Sequence, residues 1–239
     1  MKMFTVAVIG PDGAGKTTIT QRLLATLPIP VKYVYMGVNP DSSNLMLPTT
    51  RLIHKVKRLA GAPPDNRGPR DPRRTRTRSR NPVKNALKTA KSSLTLLNRM
   101  AEEWFRQAVT WYYQYRGYVV LFDRHFFSDY YTYDISTTDT PRTINQRIHG
   151  WMLKHLYPKP DLVVYLDAPG EVLFARKGEG TVELLEERRK AYMELEPLVP
   201  HFAVVDASQR EDDVFQQVSQ IILEFYAART HRLEKLPNA

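Results

Sequence analysis

The apolar stretch Phe4-Thr5-Val6-Ala7-Val8-Ile9 runs directly into Gly10-Pro11-Asp12-Gly13-Ala14-Gly15-Lys16-Thr17-Thr18. This is a complete G-x-x-x-x-G-K-T pattern between a β-branched run and a helical one (Ile19, Leu23, Leu24, Leu27). That order of strand, loop and helix constrains the fold more than any other feature of the chain. The glycines let the backbone wrap an anion so that successive N–H groups point at its oxygens. The helix that begins near Thr17 adds the partial positive charge of its N-terminus. Gly10, Asp12, Gly13, Ala14, Gly15, Lys16, Thr17 and Thr18 are therefore expected to cradle a nucleoside triphosphate. Lys16 would reach its β- and γ-phosphates, and the Thr17 hydroxyl would meet Mg²⁺.

Four further apolar runs punctuate the chain: 31–36, 118–122, 161–166 and 202–205. The last three end in Asp123, Asp167 and Asp206. Short β-branched runs alternating with helical patterns predict a doubly wound α/β fold whose parallel strands are buried. Ligands of such sheets lie beyond the carboxyl ends of the strands, where the glycine-rich loop and all three acids fall. Helical periodicity is expected over 86–115, as one helix or two, and over 143–156, 182–195 and 212–226.

The 239 residues suffice for one such domain. The chain lacks cysteine, which excludes disulfides and thiolate chemistry, and it has no apolar run long enough to span a membrane. A soluble, cytoplasmic protein is the expectation. The net charge of +10 is concentrated in one place. Residues 51–91 hold 14 Lys and Arg against Asp65 and Asp71, a charge of +12, and the remainder of the chain carries −2. Within this basic insertion, Pro63 to Pro82 brackets the run Arg73-Arg74-Thr75-Arg76-Thr77-Arg78-Ser79-Arg80 with four proline-containing turns, which predicts a flexible loop. Residues 51–91 are thus also a candidate for contact with a polyanion such as nucleic acid or anionic lipid, although no aromatic residues interleave the charges.

Asp123-Arg124-His125 supplies the first partner of the glycine-rich loop. Asp123 is placed to hold the water shell of Mg²⁺ or to orient an acceptor hydroxyl, and Arg124 to clamp transferring phosphate oxygens. The alternative is that the two pair with each other at a strand end. Arg176-Lys177-Gly178-Glu179-Gly180, with Arg188, Arg189 and Lys190 beyond it, has the composition of a mobile cationic lid over about 172–195. For 182–195 a solvated charged helix, with an attractive Glu186–Lys190 pair, is an equal alternative. Aromatic residues crowd both sides of the third strand, from Trp111 to Tyr115 and from Phe126 to Tyr133, where stacking on a base competes with core packing.

Taken together these stretches resemble the thymidylate kinase family. The likeness rests on Pro11 to Thr18, Asp123-Arg124-His125 with Ser128, Pro160 to Asp167, Glu171 to Arg176, Arg188 to Leu195 around Tyr192, and Val205-Asp206-Ala207-Ser208. The resemblance implies a P-loop NTPase fold with a five-stranded parallel sheet of order 2-3-1-4-5, ATP and Mg²⁺ as cofactors, and a nucleotide or nucleoside as phosphate acceptor. It also implies that Asp12 meets a sugar hydroxyl, that Arg176 supports the transferred phosphoryl group, and that the chain forms a homodimer through its helices. On this reading Lys16, Asp123, Arg124 and Arg176 are the catalytic residues, with Thr17 and Asp123 at the metal.

The departures bear on the acceptor. Where the family has an Arg-Glu-Pro-Gly-Gly-like turn after the second strand, this chain has Met36-Gly37-Val38-Asn39-Pro40-Asp41. The family's central-helix arginine aligns near Glu102, with Arg99 and Arg106 about one turn to either side. Thr132-Tyr133-Asp134 stands in place of the Tyr-Gln pair that reads thymine, and the lid is several residues short. The expected activity is a kinase of altered acceptor specificity. The alternatives are a kinase of a non-nucleotide metabolite such as a sugar and a nucleotide-dependent polyanion-binding protein.

Overall fold

A computed structural model of the chain describes residues 3–37, 43, 45–59, 82–125 and 144–234. Five segments form a single parallel sheet: β1 (Thr5–Ile9), β2 (Val31–Tyr35), β3 (Val119–Asp123), β4 (Leu162–Asp167) and β5 (Phe202–Asp206). Their order is β2-β3-β1-β4-β5, as the resemblance implied. The register sets Val8 beside Asp123, Tyr35 beside Asp123, and Asp167 beside Asp206, so the strand-end acids lie at the same, carboxyl, end of the sheet.

Alternation along the strands divides the core in two. Val6 and Val8 face one side with Leu121, Leu162 and Val164, and there meet Ile19 and Leu23 of α1 (Lys16–Thr26). Val214, Val218 and Ile222 of the C-terminal helix Glu211–Glu234 close that face. Ala7 and Ile9 face the other side with Val34, Phe122, Val163 and Tyr165. The central strands β1, β3 and β4 are buried as expected; β2 and β5 lie at the edges and are partly exposed.

Two results refine the reading of the middle of the chain. The periodicity over 86–115 belongs to one continuous 34-residue helix, α3 (Pro82–Tyr115), and not to two. A further helix, α2 (Pro48–Leu59), precedes it, so the described ends of the basic insertion are helical. The central part of that insertion, with its predicted flexible loop, lies outside the described residues, as do Val38 to Ser42, Phe126, Phe127, Ser128 and Tyr130 to Tyr133. Beyond β3 come α4 (Ile144–His155), then α5 (Gly170–Lys177) and α6 (Val182–Met193) around the expected lid, and finally α7 (Glu211–Glu234). Among the described residues no helix is long and apolar enough to cross a membrane.

Candidate active site

The glycine-rich loop leaves β1 through a backbone that few residues tolerate. Gly13 has φ +91°, and a Cβ there would lie 2.7 Å from the Leu173 carbonyl oxygen. Only glycine lets the loop approach α5 so closely. Gly15 ends the loop as the left-handed N-cap of α1 and supplies no side-chain cap, and the first turn carries no acidic residue. The N–H groups that open α1 are thus presented to an anion without a competing carboxylate. Lys16 is buried and curls back over the loop, its ammonium donating to the Pro11 carbonyl at 2.6 Å. Thr17 and Thr18 are exposed beside it.

Asp12 is the focus of the site. Arg124 donates to its Oδ1 at 2.8 Å and Arg188 to its Oδ2 at 3.3 Å, with the Lys177 ammonium 3.7 Å from Oδ1. Burial alone would raise the Asp12 pKa. The charges of Lys16, Arg124 and Lys177 outweigh it and hold the carboxyl well below its usual range. Residues from four places in the chain therefore meet at one carboxylate: the loop, the end of β3, the end of α5 and the middle of α6.

The position of Arg124 depends on an uncommon backbone. Its φ of +64° makes it the one non-glycine residue with positive φ among those described. That conformation costs about 1–2 kcal/mol for a residue with a Cβ. Its N–H still bonds the Val8 carbonyl at 3.2 Å, while the side chain swings across to Asp12. Arg124 does not pair with Asp123, the alternative raised by their adjacency. Asp123 is 1 % exposed and accepts from the Tyr33 hydroxyl at 3.2 Å through Oδ2. Its Oδ1 is buried with no hydrogen-bond partner among the described residues. Burial and the neighbouring Asp123 push the Tyr33 hydroxyl's ionisation well above its ordinary range, so Tyr33 remains a donor. His125 is wholly buried, and desolvation lowers its pKa to about 3, which keeps the ring neutral.

The other strand-end acids have different duties. Asp206 accepts from the N–H of Ser208 at 2.8 Å and closes its own turn. Asp167 accepts from Arg189 Nε and Nη2, both at 2.7 Å, and from the Tyr165 hydroxyl at 2.8 Å. Arg189 Nη1 donates to both Glu186 oxygens at 2.8 Å, and Glu186 also accepts from the Gly170 N–H at 2.6 Å. Glu186 thus pairs with Arg189 and Gly170 instead of the expected Lys190. This fork fastens α6 to the end of β4, and its neighbour Arg188 is carried to Asp12.

The structure does not bring every expected residue together. Arg176 points to the Ala207 carbonyl, to which it donates at 2.8 Å, while Lys177 turns toward Asp12. On the β2 side, Arg106 is buried and donates to the carbonyls of Gly37 at 3.0 Å and Leu45 at 3.3 Å. Glu102 Oε1 accepts from the Leu47 N–H at 2.9 Å, and its buried Oε2 has no hydrogen-bond partner among the described residues. A Cβ on Gly37 would collide with the Tyr35 ring at 2.5 Å and approach Arg124 Cδ at 2.9 Å, so the β2 exit is packed directly onto the catalytic arginine candidate.

No family model matches the chain. A probable thymidylate kinase of Saccharolobus solfataricus is 35% identical over 77 residues, which cover 30% of this chain and 40% of that protein. The chain thus spans well under half the length of this curated relative. Among solved structures, the thymidylate kinase of Candida albicans superposes with a TM-score of 0.60 at 20% identity, covering 100% of this chain and 96% of that one. The chain has the P-loop kinase fold seen in thymidylate kinase, and it is thymidylate kinase-like in the matched stretch of its sequence.

Proposed function

We propose that the protein is an ATP-dependent phosphotransferase of the nucleoside monophosphate kinase type, acting on a nucleotide or nucleoside, with an acceptor preference shifted from that of thymidylate kinases. The observation that carries this reading is the gathering of Arg124, Lys177 and Arg188 at Asp12, in the loop that also holds Lys16. Phosphoryl transfer gains little from covalent chemistry and much from positive charge arranged around the moving group. Lys16 and the opening N–H groups of α1 bind and orient the phosphates. Arg124 and Arg188 stabilise the charge that spreads over the transferring oxygens. Lys177 sits at the end of α5, where the lid excludes water.

The residues present fit ATP and Mg²⁺. The uncapped N-terminus of α1 suits a polyphosphate, and the buried, unsatisfied Oδ1 of Asp123 suits a hydrated cation or an acceptor hydroxyl. Thr17 and Asp123 would hold the metal or its water shell. When bound, Mg²⁺ would offset negative charge on the β- and γ-phosphates.

A kinase of a non-nucleotide metabolite is the second reading, and Glu102 favours it. A buried carboxylate stands where the family carries an arginine, and Arg106 is engaged by the Gly37 and Leu45 carbonyls. An ATP-consumption screen over nucleoside monophosphates, nucleosides and sugars decides between the two. Lys16→Ala should lower kcat/KM with the best acceptor by about 10³-fold or more. Turnover by this variant within about tenfold of the unmodified chain would overturn the assignment.

A further inference from the structure

Asp123 closes β3 with its main chain fixed on both sides. Its carbonyl accepts from the Met36 N–H at 3.3 Å, and the next N–H, that of Arg124, bonds the Val8 carbonyl at 3.2 Å. The side chain has no comparable restraint of its own. Rotation about χ2 of an aspartate is broad and roughly two-fold, so the backbone leaves the plane of the carboxylate undetermined. The adjacent guanidinium does not determine it either, because Arg124 turns to Asp12. Among the described residues, the donor that reaches this carboxylate is Tyr33, from the neighbouring strand.

Parallel register sets Tyr33 of β2 beside Leu121 and Tyr35 beside Asp123. The two-residue period of a strand therefore puts Tyr33, Leu121 and Asp123 on one face of the sheet. That face also carries Val8, and Ile19 and Leu23 of α1 pack against it. The half-buried Tyr33 reaches along the sheet, and its hydroxyl donates to Asp123 Oδ2 at 3.2 Å. An ionised carboxylate can only accept, so the direction of this bond is settled. One oxygen is anchored, and the other, Oδ1, is buried with no hydrogen-bond partner among the described residues. A tyrosine serving only to satisfy a buried acid would leave that task half done. The helix packed on this face opens with Lys16 and Thr17, beside which the cation of a bound nucleoside triphosphate belongs.

We infer that Tyr33 is a positioning residue: its hydroxyl holds Asp123 by Oδ2 and so keeps Oδ1 available to the water shell of the nucleotide's cation. This inference rests on the reading of Asp123 as a residue of that shell. Phenylalanine would fill the same space on the edge strand, so the role belongs to the hydroxyl and acts through Asp123.

Calorimetric titration with β,γ-methylene ATP, once in EDTA and once with Mn²⁺ in place of Mg²⁺, tests this without turnover or an acceptor. In the unmodified chain Mn²⁺ should tighten binding of the analogue. Tyr33→Phe should reduce that gain by about tenfold, the scale on which groups that orient a metal's ligands act, with metal-free affinity unchanged within about twofold. Asp123→Asn should reduce the gain at least as much. Adding Tyr33→Phe to Asp123→Asn should then change it by less than about twofold, because the two act as one unit. A gain kept by Tyr33→Phe but lost in Asp123→Asn would overturn the inference and spare the reading of Asp123. Equal losses with and without Mn²⁺ would overturn it as well, being the mark of a packing role. Additive losses in the double variant would mean that Tyr33 acts apart from Asp123, and would overturn it too. Absence of a gain in the unmodified chain, or a gain that Asp123→Asn leaves intact, would refute the metal reading itself and the inference with it.

Discussion

Arg189→Lys keeps the charge of Arg189 and removes its fork. Four N–H···O contacts of 2.7 to 2.8 Å join Arg189 to Asp167 and Glu186. A lysine ammonium is a single point of donation and cannot span both carboxylates in the geometry of the planar guanidinium. Each charge-assisted bond contributes about 1.5–3 kcal/mol when well shielded. Here the Arg189 and Asp167 side chains are 24% and 25% exposed, so solvent screens part of that. Losing most of the fork should therefore cost about 2–3 kcal/mol, less than the sum of the separate bonds. The loss should fall on local opening of α6, because the fork fastens α6 to β4 without holding the sheet together. Amide hydrogen exchange over 182–193 should then accelerate about 30- to 150-fold, with little change in the global unfolding midpoint. Arg188 rides on the same turn, so on the proposed reading kcat should fall while KM for ATP changes little. Exchange over 182–193 within about threefold of the unmodified chain would refute the argument that the fork holds this helix.

Gly13→Ala should destabilise the protein by about 2–4 kcal/mol, because the new Cβ meets the Leu173 backbone at 2.7 Å in addition to the positive φ. Gly15→Ala has nothing within 4 Å of its Cβ and should cost only the left-handed penalty of about 1–2 kcal/mol. Equal losses in urea denaturation would remove the steric half of this account. His125 makes stability depend on acid. Its folded pKa of about 3 lies below the ordinary histidine value of 6.5, so both states are largely neutral above pH 6.5. As pH falls from 6.5 toward 3, the unfolded chain takes up a proton that the buried ring refuses, and stability is lost. By pH 5 that loss is about 2 kcal/mol. His125→Gln should flatten the fall in stability between pH 7 and pH 5 by that amount, and an unchanged slope would locate the acid sensitivity elsewhere.

The sheet was legible in the sequence because its signal is local. Val6, Ala7, Val8 and Ile9 alternate between two faces that are both buried, and such a run has few other stable fates. The loop was legible for the same reason, since Gly10, Gly13 and Gly15 each take a positive φ. What stayed hidden depends on rotation and tertiary angle. Arg99 and Arg106 are seven residues apart on α3 and fall within about 20° of each other around the helix. Periodicity cannot separate them; the β2 exit, whose Gly37 carbonyl meets Arg106, does. Arg176 and Lys177 are adjacent, so about 100° of helix rotation separates them, and composition does not tell which one faces the loop. Helix α2 was not legible, and its Leu52, Val56 and Leu59 are exposed instead of facing the core.

The two charged clusters that α6 joins show why one is structural and the other is read as chemical. At Arg189 one cation meets two carboxylates, and its Nε, Nη1 and Nη2 all donate to them. Tyr165 and the Gly170 N–H add further donors to the same carboxylates. Such a cluster has no call for another anion. At Asp12 the balance differs: Arg124, Lys177 and Arg188 converge on one carboxylate, Lys177 pairing also with Glu179 at 3.0 Å, and the Lys16 charge acts on Asp12 as well. Holding these cations close together in a partly buried place is unfavourable unless something negative accompanies them. The loop that carries Asp12 also presents the opening N–H groups of α1. A group with several negative oxygens, bridging Lys16 and the lid, would complete what Asp12 begins. On the proposed reading a transferring phosphate passes at Asp12, while Arg189 on the same turn of α6 fixes that helix to the end of β4.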